Sequence, residues 1–338
     1  MGRYIGTDLH RNCFTSCILA ENGRSYLRTW SLEEIGVFCS RLRESDELAV
    51  EVTGNTRLFY DAVSPHVSRV AVVNPHQFKV ISDSVNKTDD NDARRLALFL
   101  SKGLLPEVRM TDKEHAQVKS LCQSRDKLVK LRTSLKNKIN NICSAHGINL
   151  KKEDLSSEKG LDMVLEIPFD SMVKIEVRVL VEQIRSLNRN IKELEEAIKD
   201  GGDKLPGSRN LKSIKGIGDL GSAILLSVIV DVNDFSDEGK LASYFGIVPR
   251  VSNSNETNHS GRITKRGCKL GRTTLVQCAL IAKRYSPYLN SYYERIKARR
   301  GAGKAIIALA RKFLKVIYLT LKENLVWEDF PNGVLAEG

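Results

Sequence analysis

Two apolar series repeat every seven residues between positions 173 and 198: Val173, Leu180, Leu187, Leu194 and Val177, Ile184, Ile191, Ile198. A 3.5-residue period sustained over four heptads keeps one stripe of a helix apolar, and another helix must cover it. A related stripe precedes it, with Leu121, Leu128, Leu135 and Ile142 at sevens and Val118, Leu131 and Ile139 between them. Asn149–Pro168 breaks the pattern. Two long helices are expected over 109–200, as a helical hairpin or as a coiled coil between chains.

The first hundred residues follow another rhythm. Arg3–Asp8, Asn12–Leu19 and Ser25–Trp30 are short β-prone runs divided by turn residues. Ser31 can cap a helix over Leu32–Leu42 with Glu34 as its capping-box partner. Strand Glu47–Val52, a helix around Thr56–Val63, strand Val67–Val73 and a helix from near Asp90 to Ser101 follow. A three-strand meander followed by alternating helices and strands predicts a mixed sheet covered by helices. Past the arm, Asp200-Gly201-Gly202-Asp203 with Pro206-Gly207 reads as a linker. A compact helical region with few strand signals then extends to about residue 324, and the tail Glu323–Gly338 is expected to fray, although Trp327 and Phe330 could dock on the body. The expected divisions are 1–108, 109–200, 201–326 and a tail over 327–338.

Charge is unevenly spread along these segments. The 338 residues carry a net +12. Residues 1–103 hold 13 basic and 13 acidic side chains, whereas 262–324 hold 16 basic against only Glu294 and Glu323. Residues 111–152 add 10 Lys and Arg against three acids. Such concentration marks a polyanion binder rather than a uniformly solvated surface. Seven scattered cysteines form no paired Cys-x-x-Cys clusters, which argues against a disulfide framework or a structural zinc site. No apolar run approaches the ~20 residues of a membrane span, and the first residues lack a signal-peptide pattern. A soluble protein of a reducing compartment is expected.

Four carboxylates stand out. Asp8 ends the first strand, and Glu51 lies in the apolar run Leu48-Ala49-Val50-Glu51-Val52, where burial is costly without a cation or strong donors. Asp89 and Asp92 sit at i and i+3 of a helix start, so both can project from one face, although helix capping would use the same residues. Together they form the set that holds two divalent metals in a ribonuclease H-like fold, and oxygen ligands favour Mg²⁺ or Mn²⁺.

Leu211–Ala223 contains Lys215-Gly216-Ile217-Gly218 between helical runs, a helix-hairpin-helix-like turn. Its Lys215, backbone N–H groups and following helix start can take a phosphate. Further on, Phe245–Arg250 leads into a polar loop, Val251–Ser260, with hydroxyls at Ser252, Ser254 and Ser260. A basic turn follows, so Arg262, Lys265, Arg266, Lys269 and Arg272 join the candidate nucleic-acid contacts.

Several of these stretches carry a family resemblance. Gly6-Thr7-Asp8-Leu9-His10, Glu51-Val52-Thr53-Gly54, Asn74-Pro75 and Lys87-Thr88-Asp89-Asp90-Asn91-Asp92-Ala93 resemble the DEDD-type insertion-sequence transposases. So do Ile217-Gly218, Phe245–Arg250, Gly261–Gly267 and Lys304–Lys312, in the same order and over essentially the whole chain. The resemblance implies an α/β RuvC-like, ribonuclease H-like domain, a coiled-coil arm and an all-α transposase domain with a catalytic serine. It implies an Mg²⁺- or Mn²⁺-dependent DNA recombinase of an insertion sequence, guided by a structured bridge RNA. Such enzymes form homo-oligomers and work on the prokaryotic nucleoid. Asp8, Glu51, Asp89 and Asp92 match the acidic positions, and Ser254 matches the serine by its spacing from Pro249 and Gly261. The family usually has glycine after that serine, where this chain has Asn255. The other reading of the carboxylates is a RuvC-like junction nuclease that hydrolyses DNA with metal-activated water and no covalent intermediate.

Overall fold

The computed structural model describes residues 2–20, 22–74, 78, 88–151, 153–254 and 257–330, and of 251–254 and 257–260 the backbone alone. Pro75, Lys87, Asn255, Glu256 and residues 331–338 therefore lie outside the described residues. The chain divides into two compact units, 1–110 and 111–338.

The first unit is built on a six-stranded mixed sheet. Its strands are β1 (Tyr4–Leu9), β2 (Cys13–Leu19), β3 (Ser25–Ser31), β4 (Glu47–Glu51), β5 (Arg69–Val73) and β6 (Glu107–Val108), in the order β3-β2-β1-β4-β5-β6. β1 pairs antiparallel with β2 and parallel with β4. Alternation assigns the two faces. Ile5, Leu9, Leu48, Val50 and Val72 join Phe14, Trp30, Phe38 and Phe59 in one core, under α1 (Ile35–Cys39) and α2 (Thr56–Val63). On the other face Ala49, Ala71 and Val73 pack with Leu96 and Leu100 of α3 (Asp89–Ser101). The expected capping box is present: Glu34 Oε2 accepts from Ser31 N at 2.9 Å, and Ser31 caps the turn. The expected Leu32–Leu42 helix is shorter, a 3-10 turn at Leu32–Glu34 followed by α1.

In the second unit α4 (Lys113–Ala145) and α6 (Ser171–Asp203) are paired long helices, each of 33 residues. Arg125 meets Glu195 and Lys138 meets Glu176, so the two run antiparallel within one chain. Val177, Ile184, Ile191 and Ile198 are buried as the heptad predicts, and Val181 joins them. Leu131 does not join the stripe; it is 49% exposed. Within the expected break, α5 (Glu158–Leu165) closes the hairpin end, its Leu161 and Val164 packing with Ile139, Val177 and Ile184.

The expected linker at 200–203 is instead the last turn of α6. A Cβ on Gly202 would lie 2.7 Å from Ala223 Cβ, so this glycine permits close packing on the helix that carries Ala223. That helix is α8 (Asp219–Ile229), preceded by α7 (Ser208–Ser213) and followed by α9 (Glu238–Tyr244), α10 (Lys269–Ala282), α11 (Pro287–Arg300) and α12 (Ala302–Lys322). Val118, Cys122 and Ile198 from the long helices enter their core, so arm and helical region fold as one unit. The expected polar loop is also corrected. β7 (Pro249–Ser254) and β8 (Thr257–Ile263) form an antiparallel hairpin whose last paired positions are Ser254 and Thr257. The tail to 330 docks rather than frays: Phe330 is buried, and Trp327 donates from Nε1 to Thr320 Oγ1 at 2.9 Å.

All seven cysteines are free thiols. Burial pushes Cys122 up to about 12 and Cys278 up to about 11, which removes their nucleophilic form near neutrality.

Gly6 faces α3 so closely that an added Cβ would stand 2.1 Å from Ala93 O and 2.4 Å from Ala97 N. Gly6→Ala is expected to lower the stability of the first unit by about 2 kcal/mol or more, because backbone cannot give way as a side chain can. Chemical denaturation of the full chain, followed at Trp30 in the first unit, measures this. An unchanged midpoint would show that the helix can ride outward at little cost.

Candidate functional site

The carboxyl ends of β1 and β4 leave the sheet side by side, since Thr7 pairs with Val50 and one more residue on each strand gives Asp8 and Glu51. Both follow a residue of the α3 face at a spacing of two, Gly6 before Asp8 and Ala49 before Glu51, so both carboxylates belong to that face. α3 starts at the same edge. Thr88 caps it, its Oγ1 accepting from Asn91 N at 3.3 Å, and Asp89, Asp90 and Asp92 fill its first turn, where the helix dipole favours anions.

Asp8 of β1 and Asp89 of α3 meet there around His10, while Glu51 and Asp92 stand outside that group of ligand atoms among the described residues. Asp8 is mostly buried, Asp89 is exposed, and His10 Nε2 lies between them at 3.3 Å from Asp8 Oδ2 and 3.2 Å from Asp89 Oδ2. Ligand atoms of Asp8, His10 and Asp89 all fall within 4.8 Å of one another. Asp92, one turn along α3, is only 5% exposed, with Oδ1 3.8 Å from Arg95 Nη1. Glu51 is half-buried; its carbonyl accepts from Thr56 Oγ1 at 2.9 Å. Asn55 Nδ2 donates to the carbonyls of His10 and Arg11 at 3.1 and 2.8 Å, which ties the β1–β2 turn to the start of α2.

Two carboxylate oxygens and an imidazole nitrogen on a half-open edge suit a divalent cation. The carboxylates are the hard ligands of Mg²⁺ and Mn²⁺, and the imidazole is a donor that Mn²⁺ tolerates better than Mg²⁺. His10 had stood in the sequence only as part of a motif. Its signal was the spacing: two residues after Asp8, it returns to the same edge beyond the strand end.

The remaining predicted residues lie in the second unit. Gly216 has φ +110°, and a Cβ there would stand 2.7 Å from Ala282 N, so the turn is pressed on the end of α10. Gly218 precedes α8 and is open to space; Lys215 is exposed. Asp219, at the first position of α8, takes Lys212 Nζ at 2.6 Å, and that hydrogen bond holds its carboxyl below the usual range. Arg262, Lys265, Arg266 and Lys269 are exposed. Arg272 turns inward, with Nη1 donating to Phe245 O at 3.2 Å and Arg266 O at 3.4 Å. The side chains of Ser252, Ser254 and Ser260 lie outside the described residues; by backbone register Ser254 is at the hairpin's tip and Ser252 opposite His259.

Residues 5–146 match the DEDD domain of IS110 elements, described as a transposase, and residues 208–294 match the transposase IS116/IS110/IS902 family. The two matches together span more than half of the chain. The transposase for insertion sequence element IS1111A of Coxiella burnetii is 24% identical, over 94% of this chain and 89% of its own length. The pilin gene-inverting protein of Moraxella bovis is 28% identical, over 95% and 96%. The transposase for IS1328 of Yersinia enterocolitica is 23% identical, over 96% and 98%. The matched 5–146 region contains every carboxylate of the cluster.

His10→Ala is expected to weaken Mn²⁺ binding by more than it weakens Mg²⁺ binding, because only the nitrogen donor is lost. Calorimetric titration of the full chain with each ion measures both. Equal losses would place the imidazole outside the coordination sphere.

Proposed function

The chain belongs to the IS110 family of DEDD transposases, and from that premise we propose that it cuts and rejoins DNA through a phosphoserine intermediate formed at Ser254. Insertion-sequence transposition and DNA strand cleavage with rejoining are the family's activity. What supports the finer reading is the edge of the first unit, where Asp8 and Asp89 lie on either side of His10 with Asp92 buried one helical turn away.

Asp8, Glu51, Asp89 and Asp92 are the residues that would hold Mg²⁺ or Mn²⁺. Bound there, the metal would polarise a phosphate and favour the ionised form of an attacking hydroxyl. The protein's own part is the nucleophile. The Ser254 oxygen attacks phosphorus, a serine–phosphate ester forms, and the bond to the 3′ oxygen breaks. The proton lost by serine is matched by the one the 3′ oxygen gains. Rejoining reverses the exchange with another 3′-hydroxyl, so no external energy source is needed. A serine hydroxyl is a weak nucleophile unless a base or metal activates it, which is why the carboxylate cluster and the serine belong to one reading.

In the second unit the helix-hairpin-helix-like turn at 215–218 and the basic run after Gly261 are the proposed nucleic-acid contacts, serving DNA ends and a structured bridge RNA. Arg272 differs from them in that its Nη1 already donates to two carbonyls of its own chain. A homo-oligomer built through the arm would use surface beyond the α4–α6 seam, where Met172, Ile175 and Val179 are exposed.

Asp8→Asn and Asp92→Asn are each expected to reduce strand exchange by about 100-fold or more while nucleic-acid binding persists. Ser254→Ala should remove both cleavage and the covalent adduct. Mass spectrometry of trapped protein–DNA adducts reads the assignment directly. Phosphate on Ser252 or Ser260 would shift the nucleophile, and cleavage without any adduct would establish the hydrolytic, RuvC-like nuclease instead.

A further inference from the structure

A cleft of about 1480 Å³ opens at the root of the β7–β8 hairpin, between the hairpin base and helices α11 and α12. That volume exceeds the roughly 300–1,000 Å³ of small-molecule sites and fits a segment of polymer. Its floor includes Ile247, Ile263 and Ile307, and its walls are basic. Arg262 and Lys265 come from the hairpin and the turn after it, Arg300 from the end of α11, and Lys304 and Arg311 from one face of α12. Among the described residues, none of these five cations has a carboxylate within ion-pair distance, and all five are exposed. Gathering uncompensated cations around one hollow costs self-repulsion that a polyanion removes.

The seven-residue step from Lys304 to Arg311 makes two helical turns, about 10.5 Å along the axis. That is the reach of about three phosphates on one strand of a duplex, at 3.4 Å each. Lys265 adds a further sign of constraint. Its φ is +55°, rare for a residue with a side chain, and its N–H is tied to Gly246 O at 3.0 Å. The turn therefore holds Lys265 where it lines the cleft instead of letting the chain relax.

One end of the cleft is closed electrostatically. Asp237 and Glu238 line it there, and Glu238 takes Lys315 Nζ at 3.4 Å, so this lysine is neutralised where those five are not; Lys312, also on the lining, sits over the Tyr288 and Tyr292 rings. We propose that the cleft holds the phosphate backbone of the DNA the enzyme acts on. Arg262, Lys265, Arg300, Lys304 and Arg311 are its contacts, and the Glu238–Lys315 pair marks its end. The proposal rests on the transposase reading but not on which serine attacks. DNA is favoured over RNA because the cleft lies at the root of the hairpin that bears the proposed nucleophile, so a strand held here is directed toward the site of cutting.

The test measures binding of a fluorescent 40-base-pair duplex to the full chain in chelator, where no cleavage occurs and the nucleophile has no influence. The combined variant Arg300→Gln, Lys304→Gln, Arg311→Gln should flatten the slope of log K against log salt by about 2.7, at about 0.9 per lost phosphate contact. Glu238→Gln should act in the opposite sense, freeing Lys315, tightening binding and steepening the slope by about 0.9. A misfolded protein cannot mimic that gain. Glu182→Gln is the control, removing a carboxylate that faces Arg185 on the arm. Unchanged slopes in the triple variant and in Glu238→Gln would overturn the proposal. So would an equal gain from Glu182→Gln, or a loss confined to a structured RNA probe.

Discussion

A helix resting on a glycine governs the geometry of the first unit. Gly6 lies at the centre of the sheet, and α3 comes so near that its backbone occupies the space a side chain would need. Because strand side chains alternate, the face that Gly6 opens is also the face of Asp8, and Ala49 does the same for Glu51 on β4. Bringing α3 down on that face carries its first turn, and with it Asp89 and Asp92, to the strand ends. Carboxylates far apart in sequence converge because one residue has no side chain. The concentration of negative charge has partial compensation in the fold itself. The helix start favours anions by about 0.3–1 kcal/mol each.

Much of this could be read from the sequence where local signals were self-sufficient. Thr56–Val63 is the observed α2, and the Ser31–Glu34 pair caps as expected, because such hydrogen bonds close within four residues. The heptad at 177–198 is buried for the same reason: its period carries its own face. Failures cluster where tertiary packing decides. Gly201-Gly202 reads as a linker by composition, yet the absent side chain is what lets α6 approach Ala223. Leu131 fits the stripe by spacing but faces solvent: α6 runs alongside it, bonded at Arg125, Arg132 and Lys138, yet leaves the face of Leu131 open. The hairpin at 249–263 was hidden because its polar residues lack the apolar alternation of a half-buried strand. Asp8 and Asp89 stand out in the sequence by position, and the place of His10 between them follows from the turn that Asn55 fixes.

The division of charge follows the division of labour between the units. The first, balanced at 13 basic and 13 acidic residues up to 103, can place acids at one edge without drawing the whole surface negative. A strongly basic first unit would neutralise the carboxylates, and a strongly acidic one would repel the phosphate they are proposed to serve. The second unit carries the excess positive charge, which attracts polyanions at long range and independently of sequence. Metal chemistry and polyanion binding make opposite electrostatic demands, and separate cores allow each to be met.

Within the basic run itself, charge alone does not decide a residue's role; backbone carbonyls do. The segments 244–248 and 264–267 cross so tightly that a Cβ on Gly246 would stand 2.0 Å from Arg266 O, and one on Gly267 2.1 Å from Tyr244 O. Both glycines have positive φ, which the crossing requires. Arg272 donates across this crossing to Phe245 and Arg266, so its charge stiffens the hairpin root from within. Lys265, held by the same crossing through Gly246 O, is turned toward the cleft instead. Two cations seven residues apart in one basic stretch thus part company, one structural and one available to a phosphate. The difference lies in which of them finds a carbonyl left unpaired by the turn. A hairpin anchored this firmly at its root can keep its Ser254 tip in register while α11 and α12 present their cations beside it.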